Sequence, residues 1–190
     1  MTNRMRLVAS LAAALAIAPL AAQHAGHDGA QSDAKPLAEA TAEIKGEGIT
    51  GTATLTEVKV GESSVVRLHL TATGLKPGLH GVHLHAVGKC EPEFTAAGGH
   101  FDPGPASNPD PDANHPYHMG DLPNLQVGED GKGELHAETT RVTLTDSPVT
   151  LFDADGSAII IHGNPDQGIT GAPKSGVSGG PRVACGVIKR

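Results

Sequence analysis

The sequence has no tryptophan, one tyrosine and three phenylalanines. A core made without large rings must be packed from valine, isoleucine, leucine and alanine. Positive charge is also scarce. Fourteen Lys and Arg face twenty-one Asp and Glu, for a formal charge of −7. An acidic surface argues against nucleic acid or an anionic membrane as partner. The one long apolar run, Leu7–Leu20, is too short and too alanine-rich for a comfortable membrane span. No stretch carries a convincing helical period, and no repeat of fixed length is visible. Cysteine is limited to Cys90 and Cys185.

The N-terminus has the pattern of an export signal. Arg4 and Arg6 precede the apolar run, and small residues follow at Ala21 and Ala22. We therefore expect a signal peptide over residues 1–22, with the mature protein periplasmic or secreted and free of the membrane after cleavage. Loss of Arg4 and Arg6 takes the charge from −7 to −9. No cysteine lies near the cleavage site, so no lipid anchor is expected there. In an oxidising compartment the even cysteine pair reads as one disulfide. Residues 23–40 are polar and alanine-rich, which predicts a disordered tether. His24, His27 and Asp28 within it form a short tract with loose metal-binding potential, or a solvated tail without function.

From about residue 41 the pattern becomes period two with β-branched residues. Strands are predicted over Thr50–Val60, Ser64–Thr73, Leu79–Val87, Leu135–Leu144, Ala158–His162 and Val183–Ile188, separated by glycine and proline turns. That pattern predicts an all-β sandwich or barrel over residues 41–190. Two stretches depart from it. Lys89–Asn124 and Gly163–Pro181 are dense in Gly and Pro, with Asp, Asn and His in the first and Ser in the second. Loops this long in a compact domain usually carry function.

The histidines converge on those loops. In Gly81-Val82-His83-Leu84-His85, residues two apart share a strand face, so two imidazoles point one way while Val82 and Leu84 point to a core. His100 follows two glycines. His115, His118 and Asp121 lie in HPYHMGD, and His162 ends an apolar strand. Imidazole suits copper and zinc, and a carboxylate completes a zinc tetrahedron. Six histidines and one aspartate would fill two four-coordinate shells if one imidazole bridges. His69 and His136, on strands, read as surface or satisfied structural histidines.

Five stretches give the chain a specific resemblance: GLHGVHLHAVGKC (78–90), GGHFDP (98–103), HMGDLPN (118–124), the His162-to-Asp166 spacing and GGPRVACGVI (179–188). In this order they resemble the Cu,Zn superoxide dismutases of the exported bacterial type. The resemblance implies a Greek-key β-sandwich or flattened barrel of about eight antiparallel strands with two long functional loops. It implies disproportionation of superoxide to oxygen and hydrogen peroxide, in antioxidant defence, by a redox-cycling copper bridged through a histidine to zinc. His83, His85, His100 and His162 resemble the copper ligands, with His100 the bridge. His100, His118 and Asp121 resemble zinc ligands. The family's further zinc histidine has no direct match, and His115 is the candidate, with Asp110 or Asp112 as alternatives. Asp166 resembles the carboxylate linking the two metal shells, and His80 a structural histidine behind copper. Arg182 resembles the arginine beside copper, with Lys174 in the same loop as a further cation. Cys90 and Cys185 resemble the family disulfide. The family admits a homodimer. The contrasting reading is a periplasmic copper/zinc buffer without turnover, which would have no need of Arg182.

Overall fold

The structure, a computed structural model, describes residues 35–104 and 110–190. Residues 1–34, with the expected signal peptide, His24 and His27, lie outside the described residues, as do 105–109. Among the described residues, nine strands form one antiparallel sheet: β1 (Ala38–Gly46), β2 (Ile49–Val60), β3 (Ser63–Thr73), β4 (Gly78–His80), β5 (Val82–His85), β6 (Leu125–Val127), β7 (Lys132–Thr139), β8 (Ala158–His162) and β9 (Arg182–Val187). Their spatial order is β4-β6-β7-β3-β2-β1-β9-β8-β5. The connections that skip over neighbours are those of a Greek key.

The end strands of that order, β4 and β5, are separated in the chain by Gly81 alone. The sheet must therefore roll until its two edges meet. Gly81 forms the seam: its N–H donates to the Asn164 carbonyl at 2.9 Å, and its own carbonyl accepts from the His162 N–H at 2.8 Å. A nearly closed barrel results, which protects the edges an open sheet would expose.

Period-two patterning explains most of the strands. β1, β2, β3 and β7 alternate buried and exposed residues. Their inward side chains include Ile44, Leu55, Leu70 and Leu135, which fill the barrel as aliphatic packing. β5 and β8 differ, because every residue in both is buried. Val82, Leu84, Ile159 and Ile161 face the barrel core. Ala158 and Ile160 join a second small cluster with Ala97 and Cys185, under the first long loop. These two strands are thus covered on both faces, and the outer cover is loop.

The structure adjusts several sequence boundaries. The expected strand Leu79–Val87 is broken at Gly81, where the chain passes from one sheet edge to the other. β7 ends at Thr139, whereas Val142 and Leu144 reach the core from a turn segment rather than a strand. β1 begins at Ala38, inside the segment read as tether. β6 was hidden because three residues are too few to show a period.

Cys90 and Cys185 form a disulfide, with Cα atoms 5.8 Å apart and a sequence separation of 95. It ties the first long loop to β9. Closing a loop of that length stabilises the fold by about 4.7 kcal/mol in the chain-entropy description. The double substitution Cys90→Ser/Cys185→Ser is expected to lower unfolding free energy by about that amount, read as a reduced urea midpoint. A midpoint unchanged from the parent would show that the bridge adds no net stability.

Candidate metal centre

Four imidazoles meet on the outer face of β5 and β8. His83 and His85 come from β5, His162 from the end of β8, and His100 from the first loop, held by a bridge to His85. Ring centroids of His83 and His100 are 4.0 Å apart, those of His85 and His100 5.0 Å, and those of His83 and His162 4.8 Å. One nitrogen from each of the four lies within 4.8 Å of the others. The backbone must approach closely to achieve this. Gly179, at φ 107°, lies so near His162 that a Cβ there would sit 2.7 Å from the His162 Cβ. Gly120 packs its Cα against the Leu84 carbonyl, leaving no room for a side chain.

The hydrogen bonds select which nitrogen each ring offers. His85 Nδ1 lies 3.0 Å from the Gly98 carbonyl, and His162 Nδ1 lies 3.1 Å from the Gly180 carbonyl. A ring donating from Nδ1 keeps its lone pair on Nε2. His83 is engaged through Nε2, 2.7 Å from Asp166 Oδ2, and so offers Nδ1. Among the described residues, His83 Nδ1, His85 Nε2, His100 Nε2 and His162 Nε2 are buried without a hydrogen-bond partner. Buried polar atoms are nearly always paired. Four orphaned lone pairs converging on one point fit a cation with a taste for imidazole, such as copper or zinc.

A second centre adjoins the first through His100. Its Nδ1 lies 2.6 Å from Asp121 Oδ1, while Asp121 Oδ2 lies 3.1 Å from His118 Nδ1 and 3.3 Å from His115 Nδ1. One carboxylate thus gathers three imidazoles. His83, His100, His115 and Asp121 have donor atoms mutually within 4.8 Å. His118 sits beside that group, with Nε2 also buried and unpartnered. Three imidazoles around one carboxylate fit zinc by donor chemistry.

Asp166 joins the two centres. Its Oδ2 takes His83, and its Oδ1 lies 2.6 Å from His115 Nε2. Asn124 clamps the Asp166 backbone in both directions, at 2.9 and 2.8 Å. His115 therefore contacts both carboxylates. The alternatives for that position are used elsewhere. Asp112 accepts from Gly176 N at 2.7 Å and from Ser178 Oγ at 2.8 Å, which latches the first loop to the second. Asp110 Oδ1 accepts from the backbone of Asp112 at 3.0 Å, closing a local turn. His80 is buried with its ring nitrogens 2.7 Å from the His162 carbonyl and 2.8 Å from the Lys76 carbonyl, so it buttresses the His162 backbone. Arg182 donates to the Phe94 carbonyl at 2.8 Å and to the Gly98 carbonyl at 2.6 Å, the oxygen that also receives His85. Lys174 is exposed in the second loop.

Sequence reasoning did not single out Arg141. Its guanidinium donates to the His118 carbonyl at 2.8 Å and to the Asp121 carbonyl at 3.2 Å, bracing the turn that presents both. It lies twenty residues beyond Asp121, outside any local motif. The latching role of Asp112 was equally invisible, because its partners are in the other loop.

Burial first, then neighbouring positive groups, hold His85 well below the ordinary imidazole range. Burial likewise lowers His100 to about 4 and His162 to about 3. These rings are neutral near pH 7 and ready as ligands. For His115, burial opposes charge, but Asp121 and Asp166 outweigh it and raise the ring to about 9. Burial would raise both aspartates as well, yet the histidines bonded to them pull each far below the usual carboxylate range. A cation at the second centre would take the place of the His115 proton.

Fold and site together define an all-β barrel whose strands and loops present two abutting, histidine-rich donor groups that have His83 and His100 in common. A family model described as copper/zinc superoxide dismutase (SODC) matches residues 49–188, and the chain belongs to that family. It is 40% identical over 152 residues to the Cu-Zn superoxide dismutase of Deinococcus radiodurans, covering 74% of this chain and 78% of that one. It is 38% identical over 137 residues to the superoxide dismutase-like protein YojM of Bacillus subtilis, covering 70% and 67%. Among solved structures, the clock protein EA4 matches with a TM-score of 0.63 at 26% identity, covering 80% of this chain and 94% of that one.

The shifts give the metal-free protein a bell-shaped stability profile. The unfolded chain protonates its histidines near 6.5, but folded His100 and His162 do so only near 4 and 3. Between those values the unfolded state binds more protons, so acid destabilises the fold. The depressed Asp121 and Asp166 extend the loss below about 4. His115 acts oppositely: its contribution is full below 6.5 and disappears as pH rises through about 9. Urea midpoints of the metal-free protein are expected to peak near neutrality and to fall on both sides. A flat profile from pH 4 to 6.5 would contradict neutral burial of His100 and His162.

Proposed function

We propose that the protein disproportionates superoxide to oxygen and hydrogen peroxide, as a copper/zinc superoxide dismutase of an exported compartment. The observation that carries this reading is the convergence of four buried, unpartnered imidazole nitrogens, with the Arg182 guanidinium anchored to the same carbonyl as His85. His83, His85, His100 and His162 would hold copper, and His100, His115, His118 and Asp121 would hold zinc. Copper supplies the one-electron exchange between Cu(II) and Cu(I) by which one superoxide is oxidised and another reduced, which zinc cannot do.

The chain's own groups have distinct tasks. Arg182 binds the anion. Burial lowers its ordinary value, but a guanidinium stays charged at any working pH. It lines an open cleft of about 620 Å³ with Glu91 and Glu93, so the attraction it exerts is local. With a net charge of −9 after loss of residues 1–22, long-range attraction of an anion has no source. His100 handles the proton. Its ring is fixed from the Nδ1 side by Asp121, and Nε2 faces the first centre as the atom that takes and returns one. Asp166 orients His83 and His115, and Arg141 braces the His118–Asp121 turn, so both act as positioning residues. The export reading rests on the N-terminal pattern and on the disulfide, which persists in oxidising compartments.

The dismutase-like naming of the Bacillus relative favours keeping the buffer reading as the competitor. A buffer needs ligands but no guanidinium. Copper- and zinc-loaded protein is expected to remove superoxide at a rate that falls as ionic strength rises. Arg182→Ala is expected to cut the second-order rate about tenfold and flatten that salt dependence. Copper bound tightly without turnover would support the buffer and overturn the dismutase reading.

A further inference from the structure

A separate set of metal-ligating side chains lies on the outer face of the β3–β7 pair. His69 and His136 stand directly opposite each other in the register. Their rings stack with centroids 4.3 Å apart and planes 8° apart. Both Nε2 atoms approach one oxygen, Glu134 Oε1, at 2.7 and 3.1 Å. Glu134 shares the face of His136, two residues earlier on β7, and lies diagonal to His69. Donor atoms of the three residues fall within 4.8 Å of one another.

The platform is rigid and the ligands are accessible. The opposite face of the same strands, Leu68, Leu70, Leu135 and Ala137, is in the barrel core. The side chains of His69, Glu134 and His136 are 47%, 59% and 71% exposed. Bonds from both histidines hold the Glu134 carboxyl below its usual range, so it is ionised near neutral pH. Along the same face, Arg67 is engaged by Glu138 at 2.8 Å. Each ring can carry its proton on Nδ1 and leave the Nε2 lone pair for a cation seated between the two rings and Glu134 Oε1.

We propose that His69, Glu134 and His136 form a third, solvent-open site for a borderline divalent cation such as zinc, with water completing the shell. Two imidazoles and a carboxylate are the donor set such ions prefer. This proposal is independent of which ions the two inner centres hold.

The test uses the full-length protein with its inner centres already saturated with zinc, titrated with further Zn2+ near neutral pH against a chromophoric chelator. The parent is expected to bind one additional equivalent. His69→Asn, His136→Asn and Glu134→Gln are each expected to weaken it about tenfold or more, while His24→Asn/His27→Asn leaves it intact. Circular dichroism checks that the variants keep the parent fold, and in a separate preparation loaded with copper and zinc, superoxide removal by His69→Asn should match the parent. Absence of an additional equivalent overturns the proposal. So does one that survives in His69→Asn and His136→Asn, or one that is lost with His24 and His27.

Discussion

Five imidazoles, those of His83, His85, His100, His118 and His162, each keep one buried nitrogen without a hydrogen-bond partner among the described residues, and a sixth, His115, turns Nδ1 to Asp121 at 3.3 Å. Buried polar groups are nearly always paired, so these nitrogens mark where a cation would supply the missing partner. Four of the six rings are held there by two carboxylates, and His85 and His162 by the Gly98 and Gly180 carbonyls. Asp121 reaches His100, His115 and His118, and Asp166 reaches His83 and His115. These contacts preorganise the site. Each ring's orientation is fixed from its far side by a carbonyl or a carboxylate, and its lone pair faces inward.

The barrel makes that arrangement affordable in structural terms. His83, His85 and His162 stand on the two strands that are buried on both faces. Their inner neighbours, Val82, Leu84, Ile159 and Ile161, are locked in the aliphatic core, so the outward imidazoles inherit a rigid base. The seam at Gly81 fixes the His162 backbone through the same hydrogen bond that closes the barrel. The disulfide anchors the first loop to β9, and Asp112 joins that loop to the second. Loops of this length would otherwise be the least stable parts of the fold.

Strand identity and the clustering of the histidines were legible in the sequence because each rests on a local pattern. Alternation marked β2 and β3, and the His83/His85 spacing marked one strand face. The long Gly- and Pro-rich stretches marked where loops would carry chemistry. What stayed hidden depends on chain crossings. Gly81 looks like an ordinary residue inside a strand until the sheet order shows β4 and β5 at opposite ends. His115 had no spacing argument in its favour over Asp110 or Asp112. Its place follows from Asp166, fifty-one residues away. Arg141 and the Asp112 latch were hidden for the same reason, since their partners are backbone atoms of distant segments and leave no mark in local composition.

The two kinds of histidine cluster in this protein show what burial does to one side chain. His69 and His136 stack in solvent, where a ring nitrogen can always turn to water and the carboxylate between them carries its charge at little cost. The inner rings have no such escape. Burial drives His85, His100 and His162 to the neutral form, while two ionised aspartates hold the proton of His115 against the same burial. The interior is thereby divided into three lone pairs that are free near pH 7 and one that a cation must win from a proton. That division separates the centres chemically although they share His100. The first is open to a metal as soon as one arrives, and the second gives up a proton on filling. A chain with the same imidazoles but without Asp121 and Asp166 would lack this distinction, because it is those two carboxylates that raise the His115 ring.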